Sequence, residues 1–150
     1  MPDDEDSRSA DPIPEGRLDV PTLQTLAQRA ATHPLVDEWA FDPSSVSPRH
    51  LQIHLVANAY PADVTAVRID VRWFVTGDYS FHYLEERDGE TSPYQCRWDR
   101  HPKTAAPRTH FHPPPDAGEA EPSSLDPHHL DALFAVLDWV SDRVERLHGT

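Results

Sequence analysis

The chain has 150 residues and a formal net charge of −13, and Lys103 is its single lysine among thirteen basic residues. That length suits one domain with one core, and no apolar run approaches the length of a membrane span. The lone cysteine, Cys96, excludes an internal disulfide and a cysteine-based zinc cage.

Residues 1–18 are rich in acids, proline and serine and read as a disordered acidic tail, because so few apolar groups cannot offset the entropy of chain ordering. The tail lacks the apolar core of a secretory signal, which points to a cytoplasmic protein with no membrane partner. Acids continue through residues 19–150, the expected single domain, while lysine is nearly absent. This balance fits a salt-rich, halophilic cytoplasm. At molar salt the Debye length is about 3 Å, so an acidic chain can still bring a local arginine cluster to phosphate.

Pro21 suits the first turn of a helix with Asp19 as its cap, and Leu23, Leu26, Ala27 and Ala30 follow at helical spacing. His33-Pro34 ends that helix. An extended piece is expected over Leu35 to Phe41, then a turn at Pro43. Four runs then alternate with period two: Leu51-Ile53-Leu55, Ile69-Val71-Trp73-Val75, Tyr79-Phe81-Tyr83 and Tyr94-Cys96-Trp98. Such alternation marks strands buried on one face, and Gly77-Asp78 and Asp88-Gly89 supply tight turns between the later runs. Residues 101–124 form a long proline-rich loop, with Thr109 to His112 able to add a short edge strand. Asp126-Pro127 opens a final helix, whose apolar stripe is Leu130, Leu133, Phe134, Leu137, Val140, Val144 and Leu147. The expected fold is α+β, an antiparallel meander of about four to five strands covered on one face by both helices.

If one sheet face is buried, the other carries His54, Asp70, Arg72, His82, Arg97 and Asp99, continued by Arg100, His101, Arg108, His110 and His112. Metal-independent RNA cleavage requires a base, an acid and cationic donors for phosphate, which histidine and arginine supply near neutral pH. In that scheme His110 and His112 are the catalytic pair, Arg97 and Arg100 hold the phosphate, and Tyr79 or Tyr83 stacks on a base. His82, Asp99 and His101 join the substrate-binding set. The scheme requires no cofactor and assigns no metal ligand. Two alternatives stand beside it. His110 and His112, two apart on an extended segment, could ligate one metal ion with help from His101, His82 or Asp99. A non-catalytic, regulatory or protein-binding module would instead use Trp139 and Val136, off the main helical stripe, with Arg143 one turn beyond.

The aromatic strand Tyr79-Ser-Phe-His-Tyr83, the motif Arg97-Trp-Asp-Arg-His101-Pro and the later His110-Phe-His112 together resemble the small TumE-like toxins of toxin–antitoxin pairs, including their acidic haloarchaeal relatives. The likeness spans Ile69 to Leu147 and departs in placing His101 alone where a pair of histidines is usual. It implies a compact α+β protein that acts on RNA and has an antitoxin protein as partner, with Tyr83, Arg97, Asp99, His110 and His112 as the residues of interest.

Overall fold

The computed structural model describes residues 17–101 and 109–149. Helix α1, Val20–Ala30, starts as its residues dictate: the Asp19 carboxylate accepts from the Thr22 backbone N–H at 3.1 Å and from its hydroxyl at 2.8 Å. Leu23, Leu26, Ala27 and Ala30 are its fully buried face.

Seven strands follow, each antiparallel to the next and laid side by side in chain order: β1 Val36–Asp42, β2 His50–Leu55, β3 Val64–Trp73, β4 Tyr79–Arg87, β5 Tyr94–Arg100, β6 Thr109–His112 and β7 Glu121–Pro122. The meander is therefore longer than the four to five strands expected. The extra strands come from the short piece before Pro43, which pairs with β2 with one register shift between Val36 and Glu38, and from the proline-rich segment, which returns to pair with β5 and then with itself. Residues 102–108 of that expected loop lie outside the described residues, as do residues 1–16 of the expected tail. Its last two residues join the fold: Arg17 accepts from Val75 N–H through its carbonyl, and Leu18 bridges to Phe74. The turn glycines Gly77 and Gly89 adopt φ of 90° and 78°, conformations that only glycine takes without strain.

Helix α2, His129–His148, begins two residues later than Asp126-Pro127 suggested. His128 is its cap, and the Asp126 side chain accepts from the His128 N–H at 2.7 Å. Its buried face is Ala132, Leu133, Val136, Leu137 and Val140. This stripe is rotated from the expected one: Phe134 is exposed and Val136 is core. Full burial of each such aliphatic side chain contributes about 1.5–3 kcal/mol, so the orientation of the helix follows from this set.

Both helices pack on the same side of the sheet, α1 over β2 and β3 and α2 over β4 and β5. The alternating residues Ile53, Ile69, Tyr83 and Cys96 form one buried row, and Val71, Phe81, Trp98 and Phe111 another. Cys96 is fully buried, and burial pushes its thiol up to about 12, which suits packing and not nucleophilic chemistry. Val75, expected to extend the apolar row of β3, lies past the strand end and is exposed.

Candidate functional site

With the helices on one side, the period-two alternation sends every second side chain of β2 to β6 to the other. The register then sets two polar rows across the strands. One runs Gln52, Asp70, His82, Arg97, His112; the other runs Arg72, Ser80, Asp99, His110. Near the middle of these rows is a pocket of about 300 Å³, walled by His50 from β2, Asp70 and Arg72 from β3, Tyr79, Ser80 and His82 from β4, Arg97 and Asp99 from β5, and His101 beyond. That volume is at the lower end for a small-molecule site and suits a small polar group.

Two arginines stand on either side of β4, Arg72 exposed on β3 and Arg97 partly exposed on β5. Neighbouring strands are about 4.8 Å apart, so their backbones are separated by roughly 10 Å, a gap that long side chains close around an anion. Among the described residues Asp99 is the partner of Arg97, accepting from Nε at 2.8 Å. That leaves both terminal amino groups of Arg97 for a ligand. Asp99 is itself buried, and its Oδ2 also faces His112 Nε2 at 3.3 Å. The other His112 nitrogen, Nδ1, donates to the Gly118 carbonyl at 2.9 Å. Asp99 thus holds Arg97, with the His112 ring packed behind the carboxylate.

His82 is half-buried on β4, between the strands that carry the two arginines. Burial lowers its pKa, the Gln95 hydrogen bond partly restores it, and the Arg97 charge lowers it further. The ring is accordingly neutral at pH 7. Its Nε2 donates to Gln95 Oε1 at 2.8 Å, which leaves Nδ1 as an unprotonated base. On the opposite wall His50 is 15% exposed, with Nε2 at 3.7 Å from both Asp42 Oδ2 and Asp70 Oδ1.

The structure gathers some of the sequence-predicted residues here and disperses others. Arg97, His82, Asp99 and His101 line the pocket, and Tyr79 borders it although its ring is packed on the helix side. His110 and His112 reach the same sheet face but stand one strand beyond it: His110 is buried with its ring 5.2 Å from that of His101, and His112 is behind Asp99. Arg100 does not join Arg97 at the pocket. Three residues apart on a strand, the two face opposite sides, and Arg100 Nη1 donates to the Gly77 carbonyl at 3.0 Å. Tyr83 and Tyr79 are not stacking platforms, because both are fully buried on the helix side. Tyr83 meets Trp139 edge-on, and Tyr79 stacks on Trp73 at 4.6 Å with its hydroxyl donating to the Asp126 carbonyl. Trp139, the expected interface anchor, is half-buried against Tyr83 and Trp98. Arg143 beside it turns inward to Glu85. Arg108 lies outside the described residues. For the metal alternative, no group of three His, Cys, Asp or Glu side chains among the described residues is placed to share an ion.

Sequence reasoning missed His50. Its signal was present, since His50, Gln52 and His54 alternate with Leu51, Ile53 and Leu55.

A family model described as Toxin TumE matches residues 24–144. The chain belongs to the TumE toxin family. The match begins inside α1 and ends inside α2, so it takes in the whole sheet and every residue of the pocket. Membership of this toxin family implies a cognate antitoxin as partner. Comparison with curated proteins returned no match, and comparison with solved structures returned none. No helix among the described residues of this TumE-family chain is long and apolar enough to cross a membrane.

Proposed function

We propose that this TumE-family toxin cleaves RNA at the polar-face pocket, by acid–base chemistry that requires no metal. The observation that carries the reading is the placement of a neutral, half-buried His82 between two arginines that converge on one small pocket. A phosphodiester entering there meets Arg97, whose fork is aimed by Asp99, and Arg72 from the far side of β4. Guanidinium groups donate paired hydrogen bonds to phosphate oxygens and stay charged throughout, so they stabilise the charge that develops on phosphorus. His82 Nδ1 takes the proton of the 2′-hydroxyl as its oxygen attacks. DNA lacks that hydroxyl, which makes RNA the substrate of this chemistry. Asp99 acts by positioning Arg97, and His110 packs behind His101. The acidic chain reaches RNA through these local contacts and not through its overall charge.

The test is growth and bulk RNA integrity after induced expression of wild type, His82→Ala and Arg97→Ala. Arrest with RNA loss in the wild type, absent in both variants at equal folded protein, is the expected result. Wild-type expression without RNA loss contradicts it.

A further inference from the structure

The cleavage pocket occupies one end of the polar face, and a second feature lies at the other. Leu84 is the one apolar side chain that β4 turns to this face, where Ser80, His82 and Glu86 are its neighbours along the strand. It borders a depression of about 60 Å³ together with His54 of β2, Ala66 and Arg68 of β3, and Glu86. That is far below the volume that encloses a ligand, so the depression seats one face of a planar group and leaves the edges open. We infer that it holds the base of the nucleotide whose 2′-hydroxyl meets His82, and that this base is guanine, read by Glu86. The inference rests on the RNA-cleavage reading and adds a base subsite to it.

The order of residues along β4 decides which nucleotide the depression serves. Side chains two apart on a strand project from the same face about 7 Å apart. Ser80 and His82 line the cleavage pocket, Leu84 comes next, and Glu86 follows it. His82 thus stands between the phosphate site and the depression. The group between a base and its 3′-phosphate is the ribose that carries the attacking 2′-hydroxyl. A phosphate at the arginines and a base over Leu84 therefore bring that ribose to His82. Arg68 links the two ends: its Nε donates to Asp70 Oδ1, on the pocket wall, at 3.0 Å, and its Nη1 donates to Glu86 Oε2 at 3.5 Å.

The chemistry of Glu86 selects the base. An ionised carboxylate only accepts hydrogen bonds. Guanine presents its ring N–H and its 2-amino group side by side on the Watson–Crick edge, two parallel donors that match the two oxygens of one carboxylate. Adenine and cytosine set a ring-nitrogen acceptor beside their amino group, and uracil flanks its ring N–H with two carbonyls. Each of these three turns a lone pair toward the carboxylate. The Glu86 side chain is 53% exposed and its ion pair with Arg68 is long, so an incoming edge can reach it. Unstacked bases in single-stranded RNA expose this edge.

The test uses purified full-length protein and one unstructured RNA that contains every pair of neighbouring bases, with the initial rate of cutting mapped at each linkage. Wild type is expected to cut after guanine about 10-fold or more faster than after any other base. Glu86→Gln should bring cutting after guanine down to the rate after adenine. The same RNA made with inosine, which keeps the ring N–H and lacks the 2-amino group, should be cut more slowly at those linkages by wild type. Leu84→Ser should raise KM about 5-fold or more and keep the order of bases, as loss of an apolar seat requires. Equal cutting after all four bases would overturn the inference. So would a guanine preference that Glu86→Gln retains at an unchanged melting temperature, or inosine linkages cut as fast as guanine ones. A wild type that leaves the RNA intact removes the underlying reading, whereas one that cuts it without regard to base removes this inference alone.

Discussion

Each face of the sheet carries an arginine–carboxylate cluster, and the two clusters are built for different purposes. On the helix side Glu85 is fully buried, and its carboxylate accepts from Arg143 at 2.8 and 3.1 Å, from the Tyr83 hydroxyl at 2.7 Å and from Arg87. Tyr83 in turn meets the Tyr60 hydroxyl at 2.8 Å, and the Arg143 guanidinium sits 3.7 Å over the Tyr94 ring. Every group there is used by another protein group, which fastens α2 to β4. On the polar side Arg97 spends one N–H on Asp99 and presents the rest to a pocket, and Arg72 is exposed. Saturation marks a structural cluster; unspent donors at an open pocket mark a site for a ligand.

Breaking the two clusters should therefore have opposite consequences. The largest stability effect is expected from Glu85→Ala, which leaves Arg143 buried without its partner and should cost about 3–5 kcal/mol, read by chemical denaturation. The largest functional effect is expected from Arg97→Ala: cleavage falls by about 100-fold or more, while stability changes by about 1 kcal/mol or less, as for other partly exposed ion pairs. Tyr83→Phe is smaller, removing the hydroxyl between Tyr60 and Glu85 for about 1–2 kcal/mol with the cleavage rate unchanged.

Acid sharpens the same comparison. Burial alone would raise the Glu85 carboxyl, but the hydrogen bonds from Arg143, Tyr83 and Arg87 outweigh it and hold it below the usual range. Its contribution is thus complete above the ordinary glutamate value of about 4.3 and is lost as pH falls through the lower folded value. Stability monitored against pH should drop there in wild type and not in a Glu85→Gln protein. His82 acts in the other sense. Its folded pKa is lowered, so the unfolded chain binds the proton more readily, and His82 opposes folding as pH falls below about 6.5. The base form survives below that pH, so cleavage should persist to lower pH than a free imidazole would allow. His82→Ala should remove that acid limb from the rate profile.

Alternation made most of the sheet legible, because one buried face forces period two over each of β2 to β5. The helices followed from Asp19 at one end and the apolar spacing of α2 at the other. The polar face came with them: once Tyr79, Phe81 and Tyr83 point inward, His82, Arg97 and Asp99 must point outward. What stayed hidden depended on distant partners. Glu85 sits in a charged run, and nothing local marks it as buried, since Arg143 is 58 positions away in sequence. Arg100 looked equivalent to Arg97 until strand parity put it on the other face. His110 and His112 were placed on the right face, but register set them one strand outside the pocket.

The central claim is that the polar-face pocket cleaves RNA, and the most direct measurement is end analysis of RNA incubated with the purified protein in EDTA. New 2′,3′-cyclic phosphate and 5′-hydroxyl ends, formed by wild type and not by Arg97→Ala, are the predicted result. Intact RNA with the folded wild-type protein, across salt from low to molar, would contradict it.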